Sequence, residues 1–216
     1  MLGALQLAFI DSVNLLLIGV IVAVGIAARS NYAKTTALLI AGDWCGVAGL
    51  ALIMLVIFDG LGPVVQRFVE GPVFGILLIA TGVLTAVFAI RGGDNQALTQ
   101  RIMRPLQRPG PATVLTGLVL GLIQSATSVP FYGGLALLSA AGIDAQVRYA
   151  AIPLYATVAL SLPTLTALAV GWVRAKPHSA AARGFDWARA HPDRVTASAT
   201  WAVAALLVVL GVTHMM

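Results

Sequence analysis

Charge is what this sequence has least of. Only 10% of its 216 residues are Asp, Glu, Lys or Arg, against roughly a quarter in a soluble globular domain. Cysteine is almost missing as well. Cys45 stands alone, which excludes an internal disulfide, a CxxC redox pair and a thiolate metal site. No Lys or Arg precedes Arg29, so the basic n-region of a secretory signal peptide is absent and the first apolar run is expected to be kept as a membrane span. A Walker-type phosphate loop is also lacking, which leaves a gradient or a partner as the energy source for any work done.

What fills the chain instead is apolar. The hydrophobic share is 59% and the mean hydropathy +0.94. Two hundred residues of that character cannot hide in one aqueous core, so the solvent is expected to be a bilayer, with membrane lipids as partners. The pI near 10 does not indicate nucleic acid, because the basic residues are few and confined to short loops.

A helical span needs roughly 20 mostly apolar residues. Six such runs occur, at about 2–28, 35–58, 73–90, 113–141, 151–173 and 196–214. The third is short, and Gly71-Pro72 marks its start. The first and fourth are long, so they must tilt, break or overrun the hydrocarbon. The loops at 29–34, 91–112 and 174–195 hold eleven Lys and Arg residues, whereas the opposite side has only Arg67 and Arg148. That bias places the three basic loops in the cytoplasm and both termini outside a plasma (inner) membrane. The 179–194 segment "SAAARGFDWARAHPDR" reads first as an ordinary cytoplasmic loop and second as a short interfacial helix.

Three spans per half give two halves of opposite orientation. The expected fold is therefore an all-α polytopic bundle of two inverted three-helix repeats in one membrane domain, 1–216. Repeat 1 covers about 1–90, a connector about 91–112, and repeat 2 about 113–216. A shift of 116 residues lays "DSVNLLLIG" (11–19) over "TSVPFYGGL" (127–135), with Ser12-Val13 on Ser128-Val129. Both stretches interrupt long spans with polar residues, so helices 1 and 4 are expected to be broken or kinked. In inverted-repeat transporters, broken helices line a midplane site.

The Asp-Ser-x-Asn cluster early in span 1 of a six-span chain resembles the LysE-type exporter superfamily, and within it the GAP-like (lipid-addressing) membrane proteins. Members carry Asn-Pro or Pro-Gly-Pro in span 1 and a related break in span 4. Here Leu15 stands where Asn-Pro would put its proline, and only span 4 keeps one, Pro130. The resemblance implies a six-helix inverted-repeat fold and export of a small molecule or lipid.

The residues that could carry chemistry are the polar ones inside these spans. Asp11 and Asp43 lie at mid-depth, where a carboxylate costs at least about 2.5–3.5 kcal/mol on insertion scales. No Lys or Arg falls within any span. Each acid is then either protonated at rest or neutralised by a bound cation, as an ion-coupled carrier requires. Alternatively, Asp11 and Ser12 cap a helix break whose N–H groups the bilayer leaves unsatisfied. In span 4, Pro130 removes one N–H and frees the carbonyl of Ala126. Gln124, Thr127 and Ser128 either re-satisfy the freed backbone or face a substrate together with Asn14, Ser12 and Pro130. Tyr155, between Pro153 and Pro163 in span 5, joins that candidate substrate set. Gly42-xxx-Gly46 and Gly117-xxx-Gly121 read as close-packing helix faces, one of which would also suit a homodimer.

Two functions fit. The first is a secondary exporter of a small molecule or lipidic envelope component, with Asp11 and Asp43 as proton- or cation-coupling groups. The second is a non-transporting accessory subunit for lipid or envelope assembly. An enzyme is not expected, because His178, His191 and His214 lie at other depths than Ser125 and Ser128. Nothing calls for a cofactor or a resident metal.

Overall fold

The computed structural model describes residues 2–27, 31–91, 109–176 and 178–191, with single positions from 106 to 212 beyond them. All regular structure among the described residues is helical. The first span is two helices, α1 (Leu2–Asp11) and α2 (Leu15–Ala27), set at 46° to each other. The second is one helix, α3 (Tyr32–Gly60), which contains no proline and runs unbroken for 29 residues. Then come α4 (Gly62–Glu70) and α5 (Pro72–Arg91). The fourth span divides into α6 (Pro111–Ala126) and α7 (Val129–Ser139), bent by 76°. A short α8 (Ala145–Ala150) leads into the fifth, α9 (Ile152–Ala159) and α10 (Ser161–Ala175), bent by 43°. Helix α11 (Ala180–Ala190) follows.

Among the described residues α3 alone is long and apolar enough to cross a membrane as one helix, and counting each bent pair as a span raises the number to five. Most of the 91–112 connector lies outside the described residues, and the sixth expected span, 196–214, is described only at scattered positions, all of them helical, with Ala204 and Leu207 buried. Two helices stand where loops were expected. Helix α4 follows the Leu61 break with Pro63 in its first turn, where the missing N–H costs nothing. Helix α11 occupies the 179–194 segment that reads first as a loop. Ser179 supplies its start by accepting from the Ala182 N–H at 3.1 Å.

The most extensive helix–helix contact is between α3 and α6, and the sequence explains it. Gly42 and Gly46 face Gly117 and Gly121. A Cβ at Gly42 would strike the Val114 carbonyl, one at Gly46 that of Leu118, one at Gly117 that of Leu39, and one at Gly121 that of Asp43. The two small-xxx-small faces are spent on each other, backbone against backbone. Elsewhere α1 packs on α7 and α9, and α2 on α10. The two main clusters are built on Phe131, Leu135 and Tyr155, and on Leu17, Ile21, Leu39 and Val170.

An arginine ties each end of the bundle. At the C-terminal end of α3, Arg148 pairs with Asp59 at 3.2 Å and donates to the Ser139 carbonyl at 2.7 Å, while the Ser139 hydroxyl donates to Asp59 at 2.7 Å. At the other end, about 40 Å away along α3 at 1.5 Å per residue, Arg174 donates to the Gly25 carbonyl and lies over the Tyr32 ring. The Tyr32 hydroxyl donates in turn to Ala167 O at 3.0 Å.

The glycine contact yields a paired expectation. Gly46→Ala forces α3 and α6 apart and is expected to cost about 1–3 kcal/mol, the range for overpacking a close contact. Gly49→Ala, three residues along the same helix but with nothing within 4 Å of its new Cβ, is expected to be neutral or stabilising by up to about 1 kcal/mol. Thermal unfolding of both variants in detergent micelles checks the difference.

Candidate functional site

Three helix breaks converge on one cavity of about 300 Å³. The α1–α2 break contributes Asp11, Val13 and Asn14, and the α6–α7 break contributes Gln124, Ser125, Thr127 and Ser128. The α9–α10 bend adds Ala159 and Leu160, and Val47 of the unbroken α3 completes the wall.

Each break has a local cause. In span 4, Pro130 sits in the first turn of α7 and Ser128 caps it, accepting from the Phe131 N–H at 3.2 Å. The Ala126 carbonyl that proline leaves without its helical donor is taken up by the Tyr132 hydroxyl at 3.1 Å. In span 5, Pro163 has no N–H for the carbonyl of Ala159, and the helix bends at Leu160. Span 1 breaks without proline. The Ser12 hydroxyl donates back to Phe9 O at 2.5 Å, closing α1, and Asn14 opens α2 by accepting the Leu17 N–H on Oδ1 at 3.0 Å. Short polar side chains here compete with the helix for its own backbone groups.

The breaks of spans 1 and 4 touch. The Ser128 hydroxyl donates to the Asp11 carboxylate while its oxygen caps α7. A second carboxylate reaches the site indirectly. Asp43 is fully buried on α3 beside the glycine contact, and its Oδ1 accepts from Gln124 Nε2 at 2.6 Å. The other oxygens of this pair, Asp43 Oδ2 and Gln124 Oε1, are buried without a hydrogen-bond partner. Both are acceptors, so the deficit is of protons or positive charge, and leaving such groups unsatisfied is costly.

The nine candidate residues therefore separate by position. Asp11, Asn14, Gln124, Thr127 and Ser128 line the cavity, and Asp43 adjoins it through Gln124. Ser12 is buried in the turn, and Pro130 in the start of α7. Tyr155 is 1% exposed and donates to Phe131 O at 3.2 Å, so its hydroxyl is spent holding α9 to α7. Sequence reasoning did not single out Val13, Val47, Ala159 and Leu160 as cavity wall. Pro163 was the available signal for the last two, since a proline exposes the carbonyl four residues before it.

The profile of the family described as Sap, sulfolipid-1-addressing protein, matches residues 5–213, and the chain belongs to that family of membrane proteins. No curated protein and no solved structure matches the chain.

Because Ser128 serves both helices, Ser128→Ala is expected to cost about 1–2 kcal/mol through loss of the cap and of the bond to Asp11. Asn14→Ala is expected to cost about 1 kcal/mol, and Asn14→Ser to recover most of it, because serine still caps. Unfolding midpoints in detergent, compared across the three variants, test both caps.

Proposed function

We propose that this member of the Sap family is a secondary carrier, not an enzyme, that moves a lipidic envelope component across the membrane by alternating access, coupled to a proton or cation at Asp11 and Asp43. The observation that carries the reading is the pair of buried acceptors, Asp43 Oδ2 and Gln124 Oε1, each without a hydrogen-bond partner. A proton or a cation arriving there removes the deficit, and its departure restores it. A site whose hydrogen bonding is complete only when loaded is what coupling needs.

Three further observations support it. The breaks of spans 1 and 4 meet at the cavity, as they do where two inverted repeats enclose a midplane site. The bundle is tied by arginines at both ends, which gives each side its own closure to open in turn. The family's description attaches it to the addressing of a sulfolipid, which favours an amphiphilic cargo, and the resemblance to LysE-type exporters favours outward movement. In this reading Asn14, Gln124, Thr127 and Ser128 meet the polar part of the cargo. The basic loops face the cytoplasm, and both termini lie outside. A homodimer, if formed, uses a face other than the glycine stripes.

One observation favours the accessory-subunit reading instead. A cavity of about 300 Å³ is at the lower limit for a small-molecule pocket and holds a headgroup or hydrated ion, not a whole lipid.

Asp43→Asn separates the two. Asparagine keeps the shape, accepts from Gln124 and can itself donate to an acceptor, but it cannot titrate. The variant is expected to fold at least as stably as the parent and to lose export of labelled envelope lipid from cells at least tenfold. Undiminished export removes the coupling role. Single cysteines at 14 and 127, in a Cys45→Ala background, are expected to react with water-soluble thiol reagents from one side or the other as the ion gradient is reversed. Protection of both from both sides in the folded protein replaces the carrier with the accessory subunit.

A further inference from the structure

A second, larger concavity lies on the outside of the bundle, between the N-terminal half of α3 and α10. Its volume is about 840 Å³ and its walls are apolar and aromatic, with Tyr32 and Trp172 at one end and Trp44 and Cys45 at the other. The wall residues Ala37, Ala41, Leu168 and Trp172 are exposed, so the groove opens sideways toward lipid. From Tyr32 to Cys45 it runs about 20 Å at 1.5 Å per residue. That is the depth of one leaflet's hydrocarbon, about 15 Å, plus part of its headgroup layer.

Its two ends differ in charge. At the Tyr32–Trp172 end stand two exposed cations, Arg174 and Lys176, at the end of α10. Arg174 lies over the Tyr32 ring at 5.1 Å and Lys176 over the Trp172 ring at 5.7 Å, so the aromatic walls hold both cations at the mouth. No acid is among the lining residues. The other end holds Trp44, which packs against both main core clusters and donates to the Thr157 hydroxyl at 3.2 Å. Trp44 follows Asp43 in the chain.

We infer that this groove is a binding site for one anionic membrane lipid, its acyl chain lying along α3 and α10 and its headgroup against Lys176 and Arg174. A neutral chain alone would explain an apolar slot. It does not explain two cations held over the aromatic walls of one end, at the depth where an acyl chain of that leaflet begins. The inference concerns binding and holds whether or not the protein transports. It also assigns the chains of an amphiphile a place outside a cavity too small for them.

The test uses the full chain in nanodiscs of phosphatidylcholine mixed with phosphatidylglycerol of the same acyl chains, followed by native mass spectrometry of the lipid retained on release. The protein is expected to retain phosphatidylglycerol in preference to phosphatidylcholine. Lys176→Gln should lower that preference about fivefold, which is what one cation near an anionic surface contributes. Ala41→Trp fills the groove from an exposed position and should abolish retention. Leu115→Trp, on the exposed face of α6, should not. Asp11→Asn, inactive under the carrier reading, should keep its phosphatidylglycerol, so the failure of one idea leaves the other standing. Equal retention of the two lipids overturns the inference. So does equal loss with Leu115→Trp and Ala41→Trp, or a Lys176→Gln protein that binds like the parent. The last comparison remains decisive if Ala41→Trp does not fold.

Discussion

The backbones of α3 and α6 touch, and the chemistry of the molecule depends on it. Four glycines remove the side chains that would otherwise hold the two helices apart, so carbonyls of one helix lie where the other's Cβ atoms would be. Lipid tails are as apolar as leucine, so helices in a bilayer are not driven together by water. Close packing must supply the attraction, and small residues are how two helices obtain it. The contact also sets an address. Gly121 lies against the carbonyl of Asp43 itself, and Gln124 is one turn further along α6. The carboxamide therefore arrives beside the carboxylate because the glycines allow the backbones to meet there. Without that approach Asp43 would face lipid or another helix, and burying it would be hard to offset.

Around this rigid crossing the other spans are broken, and the breaks are satisfied with few residues. Ser128 caps α7 and bonds Asp11 with one hydroxyl. Asn14 caps α2, and Tyr132 takes up the carbonyl freed by Pro130. Asp43 Oδ2 and Gln124 Oε1 remain unsatisfied, as do Ser161 Oγ at the α9–α10 break and Arg148 Nε beside Asp59. Around the breaks of spans 1 and 4 the backbone groups are largely answered, whereas the Asp43–Gln124 pair is left short of protons, and the proposed coupling role rests on that contrast. The arginine ties at the two ends join helices across the bundle where the breaks do not.

In the proposed reading, polar cavity and apolar groove divide the demands of an amphiphile between them. The cavity is small and lined by an acid, amides and hydroxyls. The groove is long, aromatic and basic at its mouth. Trp44 lines one end of the groove and is next in sequence to the buried acid. Neither concavity alone has the shape of a lipid.

Much of the candidate site was legible in the sequence because the bilayer penalises polar residues so heavily that those remaining inside it are conspicuous. Asp11, Asn14, Gln124, Thr127 and Ser128 stand out in apolar runs on that ground alone, and Pro130 announces its break and the carbonyl it frees. Helices α4 and α11 were less legible, since short amphipathic segments between spans have the composition of loops. The sequence by itself determined that the chain is helical and apolar, where its long apolar runs lie, and which of its polar groups are costly. Only the tertiary structure decided which of those groups meet. That Ser128 bonds Asp11, that Gln124 rather than Asn14 reaches Asp43, and that Tyr155 is occupied with a carbonyl are all consequences of how helices cross. Crossing is governed by surface shape between segments far apart in the chain, and a linear pattern of residue types carries no record of it.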